Sequence, residues 1–144
     1  MPSLELYDHQ SVLPLEMERL LHAASQALPL VLQHQGPHPA LLENLEEVEV
    51  SFITDAAIGA AHARFMDDPS PTDVITFQHG EILISTDTAI RHAAAHAHNP
   101  QRECALYIIH GLLHLHGHED RVPDESAAMQ QIQESILAKI WPVQ

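Results

Sequence analysis

The stretch from Gln101 to His116, QRECALYIIHGLLHLH, limits the possible folds of this chain more than any other. Ala105, Leu106, Ile108, Ile109, Leu112, Leu113 and Leu115 would point nearly all the way round a helix. A helix without a polar face is stable only when its neighbours cover it, so residues 101–116 are expected to form a central, buried helix. The same stretch carries His110, His114 and His116, and HGLLHLHGHED places four of the chain's 13 histidines between 110 and 118. That is more imidazole than a packed core or a solvated helix face ordinarily holds.

The rest of the chain supplies the cover. Residues 4–8 read as a short strand, and 47–53 alternate with Val48, Val50 and Phe52 on one face, as in a half-buried strand. Between them Met17, Leu20, Leu21, Ala24 and Leu28 recur at helical spacing, predicting an amphipathic helix from Pro14 to about residue 28. Residues 33–40, QHQGPHPA, form a loop. Thr54 and Asp55 offer an N-cap for a helix reaching about Phe65, and DDPSP at 67–71 is a loop. DVITF (73–77) and EILIS (81–85) read as hairpin partners across Gln78, His79 and Gly80. Ser85 to Asp87 cap an alanine-rich helix that ends before Pro100. Pro123 and Asp124 open a last helix striped by Met129, Ile132, Ile136 and Ile140. No repeat or linker divides the chain, so 1–144 reads as one domain. Strands come early and helices gather late. The expected class is α+β, a small mixed sheet packed with helices around the central one.

Cys104, the one cysteine, leaves no internal disulfide framework and fits a reducing compartment. The first residues lack the basic and apolar regions of a signal peptide. No apolar run nears the roughly 18 residues that cross a bilayer. The expectation is a cytoplasmic protein with no membrane partner. With 20 acidic and 6 basic residues the formal charge is −14. Such a field repels phosphate at long range, so a nucleic-acid enzyme built this way needs a local basic or metal-charged site.

Residues four apart on a helix share a face, with Cβ atoms about 6 Å apart. His110 and His114 can therefore direct two ring nitrogens at one ion, each about 2.0–2.1 Å from zinc. His118 continues the spacing, but on an unbroken helix it lies about 12 Å along the axis from His110. Gly117 can take the left-handed conformation that ends a helix and turns the chain back. Asp120 would then return to the metal. The pattern H-x-x-x-H-x-x-G-x-x-D predicts one zinc ion per chain, held by His110, His114 and Asp120 with a position open to water. His116 and His118 are expected outside the ligand set. His92 and His96 share the spacing without the glycine turn and read as a solvated face. The peptidase form of a two-histidine helix has glutamate after the first histidine as general base. Here that residue is Gly111, which weighs against peptide hydrolysis.

Three segments, HGLLHLHGHED (110–120), PTDVITF (71–77) and GEILIS (80–85), together resemble the YbeY family of bacterial rRNA maturation factors, zinc-dependent endoribonucleases specific for single strands. The resemblance implies His110 and His114 as metal ligands, with Asp120 where the family has a third histidine. His118 replaces the family's usual tyrosine and Glu119 its aspartate. It also implies a catalytic arginine five residues before the proline of PTDV; Met66 stands there, with Arg64 two residues away. The candidates for catalysis are His118 and Glu119 as bases and Arg64 as a cation for phosphate. Asp73 and Thr72 read as satisfying nearby backbone donors, and Glu81 as facing solvent. The implied function is cleavage of single-stranded RNA, chiefly rRNA precursors, in contact with the ribosomal subunit and without a DNA partner. Two other readings stand beside it: a ribosome-assembly factor with a structural metal and no nuclease activity, and a metallohydrolase of another class such as a peptidase.

Overall fold

Helix α4 (Pro100–Leu115) is the hub of the fold in a computed structural model that describes residues 1–66 and 72–142. The loop expected at 67–71 lies outside those residues. Around α4 stand β1 (Ser3–Asp8), α1 (Met17–Leu32), β2 (Glu47–Ile53), α2 (Asp55–Met66), β3 (Val74–Phe77), β4 (Glu81–Ser85), α3 (Thr86–Ala95) and α5 (Pro123–Ile140). Asn99 caps α4, its Oδ1 accepting the Gln101 N–H at 2.8 Å, and Pro100 takes the first turn, where no N–H is needed. Ile109, Leu112 and Leu113 have no exposed surface. Burying each such side chain is worth about 1.5–3 kcal/mol. The helix packs against α1, α3 and α5 and against β3 and β4, so the expectation of a central helix holds.

The strands form one sheet in the order β1-β2-β4-β3. β1 and β2, and β2 and β4, run parallel, while β3 and β4 form the expected antiparallel hairpin. Parallel neighbours need a crossover, and α1 lies between β1 and β2, as α2 and β3 lie between β2 and β4. Helices and strands are therefore interleaved more than the order "strands early, helices late" suggests, although the class is α+β with a mixed sheet. Val48, Val50, Phe52, Ile82 and Ile84 belong to the main core with α4, while Ile53, Ile75 and Ile58 of α2 form a smaller second cluster.

Helix α1 differs from its expected span. It begins at Met17 rather than Pro14 and continues through Pro29 to Leu32. Pro29 deprives the Ser25 carbonyl of a donor, but Leu28 and Val31 on either side are buried, and that packing outweighs the lost bond. At the far end of the sheet Ser85 caps α3 by accepting the Thr88 N–H at 3.1 Å, and its hydroxyl donates to Asp55 at 2.6 Å. Arg91 donates to the same carboxylate at 2.6 Å. Burial works to raise the Asp55 pKa, but the hydrogen bonds from Arg91, Ser85 and Thr88 prevail and hold it below the usual carboxylate value. Among the described residues no helix is long and apolar enough to cross a membrane.

Candidate metal centre

The end of α4 builds the site. Gly117 has φ +93°, and around it the Gly117 N–H bonds to the His114 carbonyl at 3.2 Å and the His118 N–H to the Leu113 carbonyl at 3.0 Å. These are the two bonds of a glycine-terminated helix end, which reverses the chain within one turn. The reversal has two products. It places the His118 carbonyl 2.9 Å from Nδ1 of His114, and it returns Asp120 to the face carrying His110 and His114.

His110, His114 and Asp120 each offer one ligand atom, all within 4.8 Å of one another. The separations are 3.0 Å between the two Nε2 atoms and 3.6 and 3.9 Å from these to Asp120 Oδ2. Donors about 2.0–2.1 Å from one ion at tetrahedral angles stand about 3.3 Å apart, a spacing these values bracket. The protons agree. A carbonyl oxygen only accepts, so His114 Nδ1 must carry the hydrogen it donates to His118. His110 Nδ1 likewise donates to Gln133 Oε1 at 2.9 Å. With Nδ1 carrying the hydrogen, the neutral form of each ring has a bare Nε2, and the two Nε2 atoms and the carboxylate face one another. In that form the three electron-pair donors suit a shared cation. Burial, then the neighbouring His110, hold the His114 pKa below the usual imidazole value despite Asp120, which favours the neutral ligand form.

The loop 33–41 braces this turn. Gly36, His38 and Leu41 donate backbone N–H bonds to the carbonyls of His116, Gly117 and Leu115 at 3.0, 3.0 and 2.8 Å. The contact is close enough that a Cβ on Gly36 would stand 2.2 Å from the Gly117 oxygen. His116 and His118 are buried, and their Nε2 atoms donate to the carbonyls of Leu32 and His34. Both rings thus fasten the turn to the end of α1 and point away from the three donors.

His114 and Asp120 open onto a cleft of about 540 Å³ lined also by His38, Pro39, Leu41, residues 74–76 and 78, Leu115, Gly117, Glu119 and Arg121. Glu119 lies in this cleft; His118 and Arg64 do not line it. Arg64 is exposed in the last turn of α2, its guanidinium 5.3 Å from the Phe65 ring. Asp73 accepts the Val74 N–H at 2.8 Å and the Thr72 hydroxyl at 3.4 Å, the satisfying of local donors that sequence suggested. Glu81 is partly exposed, 3.6 Å from His79. His92 is exposed and bonds the Tyr107 hydroxyl at 2.8 Å. Sequence reasoning missed Gln133, whose signal was a polar residue on the apolar stripe of α5, and the brace at 33–41. It also overlooked Arg121.

The family model described as "Endoribonuclease YbeY" matches residues 5–141. The endoribonuclease YbeY of Protochlamydia amoebophila is 33% identical over 100 residues, covering 62% of this chain and 67% of its own. That of an Exiguobacterium species is 30% identical over 145 aligned residues, covering 85% of this chain and 89% of its own. The solution structure of TM1509 from Thermotoga maritima shares the fold with a TM-score of 0.60, at 21% identity over 96% of this chain and 89% of that one. With a matching family model over nearly its whole length and the metal-donor turn in place, the chain belongs to the YbeY endoribonuclease family.

Proposed function

We propose that the protein is a zinc-dependent endoribonuclease that cuts single-stranded RNA, with rRNA precursors as its substrates and the ribosomal subunit as the setting. One observation carries the metal half of this reading. His110 and His114 have their Nδ1 protons committed to Gln133 and the His118 carbonyl, so two bare nitrogens and the Asp120 carboxylate meet at one point. Bound there, zinc would polarise a phosphoryl oxygen and acidify a water toward a pKa of about 7. Asp120 would lower the net charge of the metal-bound site, and it lines the cleft. Glu119 lines the same cleft and, in this reading, would take a proton from the attacking water or 2′-hydroxyl. His118 acts through the turn it fastens, and Arg64 stays outside the cleft.

Peptide hydrolysis is disfavoured by more than the missing glutamate. A Cβ on Gly111 would stand 2.7 Å from the side chain of Ile82, which has no exposed surface, so a base does not fit there. The assembly-factor reading, with a structural metal, draws on the position of Arg64 and the charge of −14. Incubating single-stranded RNA with chelated and zinc-restored protein separates the two. Cleavage restored by zinc supports the nuclease, and 2′,3′-cyclic phosphate ends would identify 2′-hydroxyl attack. No cleavage at full metal loading favours the assembly factor.

A further inference from the structure

Thr76 is polar in a place that gives it nothing to bond. Its Oγ1 is buried and has no hydrogen-bond partner among the described residues. An unsatisfied buried hydroxyl costs about 1–3 kcal/mol, so an apolar isostere in its place should not lower stability. Thr76 sits on β3, the last strand in the sheet order, and lines the metal cleft. Its side chain shares the sheet face of Val74, which packs on the core around α4, and is registered opposite Ile82, whose side chain abuts Gly111 of α4.

The backbone of β3 is equally open. The Ser85 N–H bonds to the Asp73 carbonyl at 2.9 Å, which makes Asp73 and Ser85 a hydrogen-bonded pair of the hairpin. Such pairs alternate along an antiparallel ladder, so Ile75 and Phe77 bond to β4 while Val74 and Thr76 turn their N–H and C=O groups to the outer edge. The Val74 N–H is taken by Asp73 Oδ1. Thr76 keeps a backbone N–H on the open edge at the cleft, with no partner among the described residues, while its hydroxyl is shut away on the core side.

Arg121 is the second unengaged group. Of the chain's six basic residues, Arg91 is held by Asp55, Arg19 lies 3.7 Å over the Trp141 ring, Arg102 donates to the Trp141 carbonyl and Arg64 sits near Phe65. Lys139 is in the last turn of α5. Arg121 lines the metal cleft, and no ion pair or hydrogen bond engages its side chain among the described residues. Among the charged side chains lining the cleft, Glu119 and Asp120 oppose Arg121; a divalent ion held by the three donors would offset both carboxylates and favour an anionic ligand.

Resting on the functional reading above, we propose that the RNA backbone lies along the outer edge of β3, the Thr76 backbone N–H donating to one phosphate and Arg121 pairing with another beside the metal donors. An extended peptide could also pair with this edge, but the guanidinium in the cleft and the filled position at Gly111 favour phosphate.

The test is fluorescence anisotropy of a labelled single-stranded 2′-O-methyl oligoribonucleotide with the zinc-loaded protein over a range of salt. Arg121→Gln is expected to weaken binding about tenfold, as loss of a charge-assisted bond does. It should also lower the slope of log K against log salt by about 0.7, one single-strand phosphate contact. Arg121→Lys should keep the slope and lose part of the affinity. Thr76→Pro, which removes the edge N–H, should weaken binding severalfold. Thr76→Val, which keeps that N–H and removes only the buried hydroxyl, should bind as the wild type does and melt at or above it. Should Thr76→Pro fail to fold, the two Arg121 variants decide. Wild-type affinity and slope in Arg121→Gln and Thr76→Pro, with the wild type still cutting RNA, would overturn the proposal and leave the nuclease reading intact. A zinc-loaded wild type that neither binds nor cuts single strands would remove both. Binding of an extended peptide that Thr76→Pro abolishes, with RNA affinity unchanged, would assign the edge to polypeptide instead.

Discussion

Gly117→Ala attacks the turn that brings the three candidate metal donors together. At φ +93° an L side chain is strained by about 1–2 kcal/mol. The added Cβ would also stand 2.3 Å from the His38 carbonyl oxygen, a backbone atom in the bracing loop. Relieving that overlap separates the loop from the turn and endangers the bond from His38 N–H to the Gly117 carbonyl, worth about 1 kcal/mol. The combined loss is about 2–3 kcal/mol, or a fall in melting temperature of about 6–10 °C for a domain of this size. A displaced turn also takes the His118 carbonyl from His114, and losing such an orienting partner weakens metal binding about 10–100-fold. Calorimetry of the metal-free protein reads the first effect, and zinc titration against a chromophoric chelator reads the second. A Gly117→Ala protein with wild-type melting and wild-type zinc affinity would refute the claim that this turn sets the site.

The other ligand-shell residues give distinct outcomes. Asp120→Ala should cost more zinc affinity than His118→Ala, because Asp120 offers a donor atom to the cluster while the His118 ring is turned to the His34 carbonyl; the reverse order of dissociation constants would exchange their roles. Gln133→Leu should weaken zinc about tenfold by freeing His110 Nδ1, with little change in the melting of metal-free protein. Asp55 has a folded pKa below its unfolded value, so its stabilising contribution is present above about pH 4 and is lost as pH falls through the folded value. The stability difference between wild type and Asp55→Asn should therefore shrink on acidification in denaturant titrations; a constant difference would count against that linkage.

Most elements were legible because their signals are local. The alternation of Val48, Val50 and Phe52 marked β2, and the nearly uniform apolar surface of α4 required a central place. The turn at Gly117 was legible for the same reason, since one glycine after two histidines four apart decides where the chain goes next. What escaped sequence reasoning depends on distant partners. Pro29 argues for a helix end, yet packing of Leu28 and Val31 carries α1 past it. The parallel pairings follow from crossovers that strand alternation does not reveal. Gln133 and the loop at 33–41 act on residues at least 23 positions away, through a hydrogen bond and through backbone contacts that no local pattern encodes. Arg64 was chosen by its nearness in sequence to position 66; the cleft is lined instead by Arg121, on the connection from the metal turn to α5.

The most direct test of the metal-dependent nuclease is the single-turnover rate of single-stranded RNA cleavage as zinc is added to chelated protein. For the wild type the rate should rise from near zero and saturate at about one zinc per chain, while His114→Ala, which removes a central donor, should stay near zero at the same zinc concentrations. Cleavage at an undiminished rate by wild-type protein proven free of metal, or by zinc-saturated His114→Ala, would contradict it.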